Sequence, residues 1–267
     1  MSATSTPITE TANFLAQLRA APQPIQALPQ ALRPAELTTA YHSQDVLVAQ
    51  LLATHGGQRI GYKIACTNEI AQRQLHISAP LYGQLLAYST YPSPAQLDPR
   101  QFTVRIIEME FGFQIGQEVP PAPTPYDCAS IAPFMAAVLP GIEIVDHRFV
   151  DWTQVGAPTL AADNAIHGAW VHGAPYADWR ELDLAHHEAT LTVNGTIVRR
   201  GQGSAVLGHP LNVVAWLANE LPKQGKQLRA GDYITTGVIS DVYLAQPGDQ
   251  LQADFGLLGS VVLGFTI

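Results

Sequence analysis

With 267 residues, 47% of them hydrophobic and 13% charged, the chain has ample material for a core and too little charge for a disordered polymer. Its length fits one large domain or one domain with a smaller attachment, and a formal net charge of −8 without a compensating basic run argues against a nucleic-acid partner. Two cysteines without C-x-x-C spacing, no charged leader and no apolar run of spanning length predict a reduced, cytoplasmic protein with no membrane contact.

Residues 1 to about 9 read as frayed. A helix is predicted over 11–21 from Phe14, Leu15 and Leu18, ending before Pro22. A Pro-punctuated connector over 22–33 leads to a second helix over 34–55, with Tyr41, Val48 and Leu51 inward and Gly56-Gly57 as its stop. The run from Arg59 to Ala65 reads as a strand, and Asn68 caps a short helix to about Leu75. A loop carrying Ser78, Pro80, Gly83, Pro92 and Pro94 then leads to a strand over 104–113. A helix is predicted over 127–139, with Pro133 confining its regular part to the later turns, before a strand around Glu143.

The remainder is mostly β. Asn194-Gly195 between two β-branched runs is a two-residue hairpin signal. A helix over 210–221 carries Pro at its first turn, and strands follow near 233–236, 241–245, 251–255 and 261–266. The glycines over 201–208 lack a phosphate loop's lysine and read as a bend. These elements predict an α+β protein, with a helical segment over 1–57 on a β-rich domain over 58–267.

The strand over 104–113 is the informative one. Side chains alternate along it, so Glu108 and Glu110 share a face with Val104 and Ile106, while Arg105 points away. Two carboxylates roughly 7 Å apart on an apolar face need a cation, a proton or bulk water. A solvated face is the ordinary alternative. A third acid, Glu143, on a second apolar strand favours one site over two accidents, and a hard divalent ion such as Mg²⁺ suits three carboxylates.

Motifs in order along most of the chain resemble the 2-keto-4-pentenoate hydratase / 4-oxalocrotonate decarboxylase branch of the fumarylacetoacetate hydrolase superfamily. They include Gly61-Tyr62-Lys63-Ile64, Pro80-Leu81-Tyr82-Gly83, Glu108-Met109-Glu110, Gly141-Ile142-Glu143, Ala162-Asp163-Asn164-Ala165, Leu207-Gly208-His209-Pro210 and Thr235-Thr236-Gly237. The resemblance implies a mixed β-roll or sandwich and a divalent metal, Mg²⁺ or Mn²⁺, on Glu108, Glu110 and Glu143. It also implies a small 2-oxo or 2-hydroxydienoic acid substrate and an active-site lysine at Lys63. A homo-oligomer is expected, or a complex with a partner enzyme of the same pathway.

For Lys63, a snorkelling ammonium is the bland reading. The resemblance makes it a general acid/base lowered in pKa by burial, or an electrostatic partner of the substrate. Asp163 is a candidate catalytic residue, beside the metal ligands or in the pocket, and Asn164, Thr236 and Gly237 are candidate substrate contacts. Ordinary turns explain these residues too. The chain departs from the branch at Ile166-His167, where many hydratases carry small hydroxyl residues. No histidine is read as a ligand. His147 is expected to border the pocket, His186-His187 to face solvent, and His209 to start a helix.

The activity implied is hydration of a 2-hydroxypenta-2,4-dienoate-type acid to a 4-hydroxy-2-oxo acid through an enolate stabilised by the metal, in aromatic meta-cleavage catabolism. Decarboxylation of a 4-oxalocrotonate-type acid on the same site, or a catalytically silent partner subunit, are the alternatives. No hydrolytic His-Glu dyad stands out, which tilts the reading away from C–C hydrolysis.

Overall fold

A computed structural model describes residues 6–21 and 23–267, so the expected fraying of residues 1–5 and the stop at Pro22 lie outside the described residues. Helix α1 (Pro7–Ala20) starts earlier than its apolar spacing indicates, because the Thr6 hydroxyl caps the Thr9 amide and Pro7 opens the first turn. Helix α2 (Leu37–His55) packs against it and closes on Gly56 at φ +77°, a conformation glycine adopts without a Cβ clash. Strand β1 (Arg59–Ala65) follows, and the Asn68 side chain accepts the Ala71 amide to cap α3 (Glu69–Leu75).

Two stretches differ from expectation. Residues 81–97 are not a loop but hold β2 (Leu81–Leu86), β3 (Thr90–Pro92) and β4 (Ala95–Leu97). Turn residues on both sides masked β2, whose six residues are all buried. After β5 (Ile106–Ile115), helix α4 lasts only Cys128–Ile131, and a 3₁₀ turn carries the chain past Pro133 into β6 (Met135–Val145). Pro133 ends the helix instead of shortening its start, since proline offers no N–H to the previous turn. Beyond it, pairing with β5 along nearly its whole length overrides helix propensity.

Helix α5 (Ala157–Ala162) and strand β7 (His167–His172) come next, and the remaining predicted elements match closely: β8 (Glu188–Val193), β9 (Thr196–Gln202), α6 (Pro210–Glu220), β10 (Tyr233–Thr235), β11 (Tyr243–Leu244), β12 (Gln250–Asp254) and β13 (Ser260–Phe265). Asn194 and Gly195 take φ of 50° and 83°, the positive pair a type I′ hairpin requires. His209 starts α6 as expected, its Nδ1 accepting the Leu211 amide at 3.0 Å.

One mixed sheet runs β2-β1-β10-β5-β6-β7-β3, with β11 on the end of β5; a five-stranded sheet runs β4-β13-β12-β8-β9. The two pack face to face, with Phe111 of β5 edge-on to Phe255 at 5.3 Å and Phe102 edge-on to Phe265 at 6.2 Å. This is the mixed α+β sandwich expected. Helix α2 crosses to α5 and β2, where Gln44 donates to the carbonyls of Tyr82 and Ala161 at 3.0 and 2.7 Å. Among the described residues, no helix is long and apolar enough to cross a membrane.

Candidate active site

Strand pairing builds the site on the first sheet, on the face opposite Phe111. Glu108 lies directly across from Glu143 and Glu110 across from Gly141, so three carboxylates converge. Like charges in directly opposed positions repel. One oxygen from each lies within 4.8 Å of the others. Two strands away, β1 sets Lys63 opposite Thr235, which in turn faces Gly112 of β5. Gly112 and Gly141 are required because Trp170 lies across them; a Cβ would come within 2.9 and 2.6 Å of its indole.

Burial is complete for Glu110 and Glu143 (0% exposed) and nearly so for Lys63 (1%). Glu143 Oε1 accepts from Lys63 Nζ at 3.1 Å and from His167 Nδ1 at 2.8 Å. Glu110 Oε2 accepts the Gly237 amide at 2.9 Å. Each of these carboxylates thus has one oxygen held by the protein, while Glu143 Oε2 and Glu110 Oε1 have no partner at all. Unpaired buried carboxylate oxygens are expensive.

Protonation reports the same tension. Burial, then the Glu143 carboxylate, raise Glu108 to about 7, and burial with both neighbours raises Glu110 well above the usual range. Burial also opposes ionisation of Glu143, but Lys63 and His167 outweigh it and hold this acid down at about 2. For Lys63, burial favours the neutral amine, yet Glu143, Glu108 and Glu110 prevail and its pKa is raised. The expectation of a lysine depressed by burial is overturned: the same burial that would depress it has concentrated three carboxylates around it. Burial keeps His167 neutral, its pKa lowered, with Nδ1–H donated to Glu143. When all three carboxylates are ionised, the single ammonium leaves two negative charges, the number a divalent cation would neutralise; without a cation, protons on Glu108 and Glu110 relieve the same excess. The donor set fits such an ion in kind: convergent carboxylate oxygens, two of them buried without a hydrogen-bond partner, are the hard ligands that Mg²⁺ and similar divalent ions take.

The segment after α5 completes the frame. Asn164, Ala165 and Ile166 have φ of 53°, 48° and 53°, three consecutive left-handed residues of which none is glycine. Each costs roughly 1–2 kcal/mol, and a β-branched residue there is an outlier. The conformation turns the Ala165 carbonyl to Lys63 Nζ, 3.0 Å away.

A cavity of about 160 Å³ opens beside this cluster. Lys63, Glu108, Cys66, Thr67 and Asn68 give its polar lining; Trp152, Leu160, Ile166 and similar residues make the rest apolar. Of the sequence-level candidates, Lys63, Glu108 and Gly237 reach the cavity wall, with Glu110 and Glu143 sealed behind it. Asp163, Asn164 and Thr236 do not line it. The Asp163 carboxylate lies between Arg19 and Arg148, each 2.8 Å away. Asn164 exchanges two hydrogen bonds with the backbone of Gln84, and the Thr236 hydroxyl donates to the Phe111 carbonyl. His147 lies past the end of β6 and is absent from the lining, contrary to expectation. His186 is exposed, but His187 is half-buried and donates to the Phe255 carbonyl at 2.6 Å.

Sequence reasoning passed over His167, visible only as a departure from the branch's pattern, and Thr67. The Thr67 side chain is buried, its hydroxyl has no partner, and it packs so close to Gly237 that a Cβ there would lie 2.1 Å from the oxygen. A polar residue four positions after Lys63, where β1 gives way to the turn before α3, was the available signal.

Residues 95–265 match the Fumarylacetoacetate (FAA) hydrolase C-terminal family. A 2-keto-4-pentenoate hydratase of Paraburkholderia phymatum is 31% identical over 252 residues, covering 94% of this chain and 95% of that protein. A 4-oxalocrotonate decarboxylase of Pseudomonas putida is 32% identical over 213 residues, covering 79% and 78%. Among solved structures, the 4-oxalocrotonate decarboxylase from Pseudomonas putida G7 complexed with magnesium and adipate superposes with a TM-score of 0.90 at 26% identity, covering 98% of this chain and 99% of that one.

Proposed function

Because the chain belongs to the fumarylacetoacetate hydrolase C-terminal family, we propose that it is a metal-dependent hydro-lyase acting on a 2-hydroxydienoic acid, or its 2-oxo-enoic tautomer, with one carboxylate. The observation that carries the reading is the site's charge pattern. Buried carboxylate oxygens without partners stand beside a cavity in whose wall, among the described residues, Lys63 is the one cationic side chain. The likeness to a hydratase along 94% of the chain supports it. A catalytically silent subunit would have no use for so many buried charges.

When bound by Glu108, Glu110 and Glu143, a divalent ion, Mg²⁺ or Mn²⁺, supplies Lewis-acid polarisation of the 2-oxo group. Lys63 has three N–H bonds; Glu143 and Ala165 take two, and the third serves the substrate. As an ammonium it provides the proton for C3 while water adds at C4 of the 2-oxo-3-enoic acid, and the water's own proton restores it. The product is a 4-hydroxy-2-oxo acid, and no other bond breaks. The Thr67 hydroxyl contacts the carboxylate or the incoming water, and Gly237, whose amide is held by Glu110, offers its carbonyl to that water. Asn164 and Thr236 act one step back, by holding the strands that carry these groups.

A second reading, decarboxylation of a 4-oxalocrotonate-type diacid, is favoured by the TM-score of 0.90. A second carboxylate would find no further cation in the described wall, which favours the hydratase. The test follows ultraviolet absorbance of 2-hydroxypenta-2,4-dienoate and of 2-oxalocrotonate, with Mg²⁺ and again with EDTA. Consumption of the first that needs metal and releases no carbon dioxide is expected. Consumption of only the second, with carbon dioxide, selects the decarboxylase. Inactivity on both refutes both readings.

A further inference from the structure

The feature that the proposed chemistry leaves unused is a guanidinium fork reaching from the N-terminal helical segment to the strained turn. We propose that Arg19, in the last turn of α1, is a positioning residue of the active site: it fixes both ends of the left-handed run 164–166, and through that run the partners of Lys63 and Glu143. The catalytic part of this inference rests on the hydro-lyase reading; the structural part does not.

Arg19 spends its donors on this one segment. Nε donates to Asp163 Oδ1 at 2.8 Å, Nη2 to the Asp163 carbonyl at 2.8 Å, and Nη1 to the His167 carbonyl at 3.2 Å. Those two carbonyls flank the three left-handed residues, so one planar group sets the distance between the ends of the run. Inside it, the Ala165 carbonyl accepts from Lys63; at its far end, His167 donates to Glu143. Asp163 is locked from the other side by Arg148 Nε at 2.8 Å, and Arg148 is itself held by Asp146 at 2.9 Å. The Asp163 carboxylate, taken up by two guanidinium groups, is thereby part of the clamp. A strained turn persists only when its surroundings over-determine it, and a fork of fixed geometry does this where a lysine's single ammonium would not. Arg19 also lines a cleft of about 470 Å³ that shares no lining residue with the cavity, so a small cation can reach its place.

The experiment compares the full-length protein with Arg19→Ala and Arg19→Lys by amide hydrogen exchange, Mn²⁺ titration and turnover of the dienoate. In both variants, amides of 164–167 should exchange at least about tenfold faster, with the β8–β9 hairpin unchanged, and Mn²⁺ should bind several-fold more weakly. Turnover should fall about tenfold or more with KM within about threefold, the range seen when a residue supporting a ligand is lost. Millimolar guanidinium should restore Arg19→Ala on all three readouts and leave Arg19→Lys unchanged. Unchanged exchange at 164–167, faster exchange spread over the whole protein, or no rescue would each overturn the assignment and leave Arg19 as an anchor for α1. Should the wild-type protein fail to turn over the dienoate, exchange and Mn²⁺ binding still decide the question, and only the hydro-lyase reading falls.

Discussion

The β5–β6 ribbon has two faces with the same backbone, similar burial and opposite chemistry. On one, Met109, Phe111, Phe113, Ile142 and Ile144 are at most 1% exposed and fill the space between the sheets. On the other, Glu110 and Glu143 are equally buried, with Glu108 opening to the cavity. Burying a large apolar side chain contributes roughly 1.5–3 kcal/mol. Burying a carboxylate costs free energy until a proton, a partner or a cation offsets it. Alternate residues of one strand therefore hold stability and chemistry separately, and substitutions on the two faces should have opposite signatures.

The largest effect should come from Glu110→Gln. Glutamine keeps the shape and can still accept the Gly237 amide, but it removes one charge from the cluster. Turnover should fall by about a thousandfold, the scale of several kcal/mol of lost charge stabilisation. The metal-free variant should melt close to the wild-type temperature, because without metal the raised Glu110 already holds its proton and glutamine is a neutral side chain of the same shape. Activity within tenfold of wild type, or a clear drop in melting temperature in EDTA, would break the contrast between the faces.

On the other face, Phe111→Ala should destabilise the fold by about 3–5 kcal/mol through lost burial and a cavity at Phe255. Mn²⁺ affinity of the folded fraction should stay within about twofold. Denaturant melts with a parallel metal titration check this. A large change in affinity would mean that the two faces are mechanically coupled.

The apolar face was legible in the sequence because alternation over β5 is a local property, and so was the sharing of a face by Glu108 and Glu110. That Glu143 stands across from Glu108 depends on register, which the sequence pattern implied without specifying. The first half of β6 looked helical for a physical reason: Ala and Leu suit a helix, and the partner strand that recruits them lies 20 residues and more upstream. The clamp on Asp163 was out of reach altogether, since Arg19 is 144 residues away in the chain. Nothing in Ala165 or Ile166 announces a left-handed backbone either; the strain is imposed by tertiary contacts, and local propensity points the other way. His167 was visible as a departure from the branch but uninterpretable without its neighbour Glu143.

The smallest effect, about tenfold, sharpens the contrast through pH. Glu108 is raised to about 7 by burial and by Glu143, so below that pH a bound proton must leave before a cation can enter. Its pKa in the metal-free protein lies above the ordinary value, so the proton is retained in the folded site through the window from about 4.5 to 7, where an unfolded chain has already lost it. Displacing the Glu108 proton alone weakens Mn²⁺ binding about tenfold between pH 8 and pH 6, so the total loss is at least about tenfold, with one proton or more released per ion at the lower pH. Glu110, raised further, steepens the dependence; Glu143, held at about 2, adds nothing in this range. Calorimetry in two buffers of different ionisation enthalpy reads the released protons directly. A flat affinity from pH 8 to pH 6 with no proton release would mean that Glu108 is already ionised before metal arrives, and the face carrying the carboxylates would then be as indifferent to pH as the face carrying Phe111.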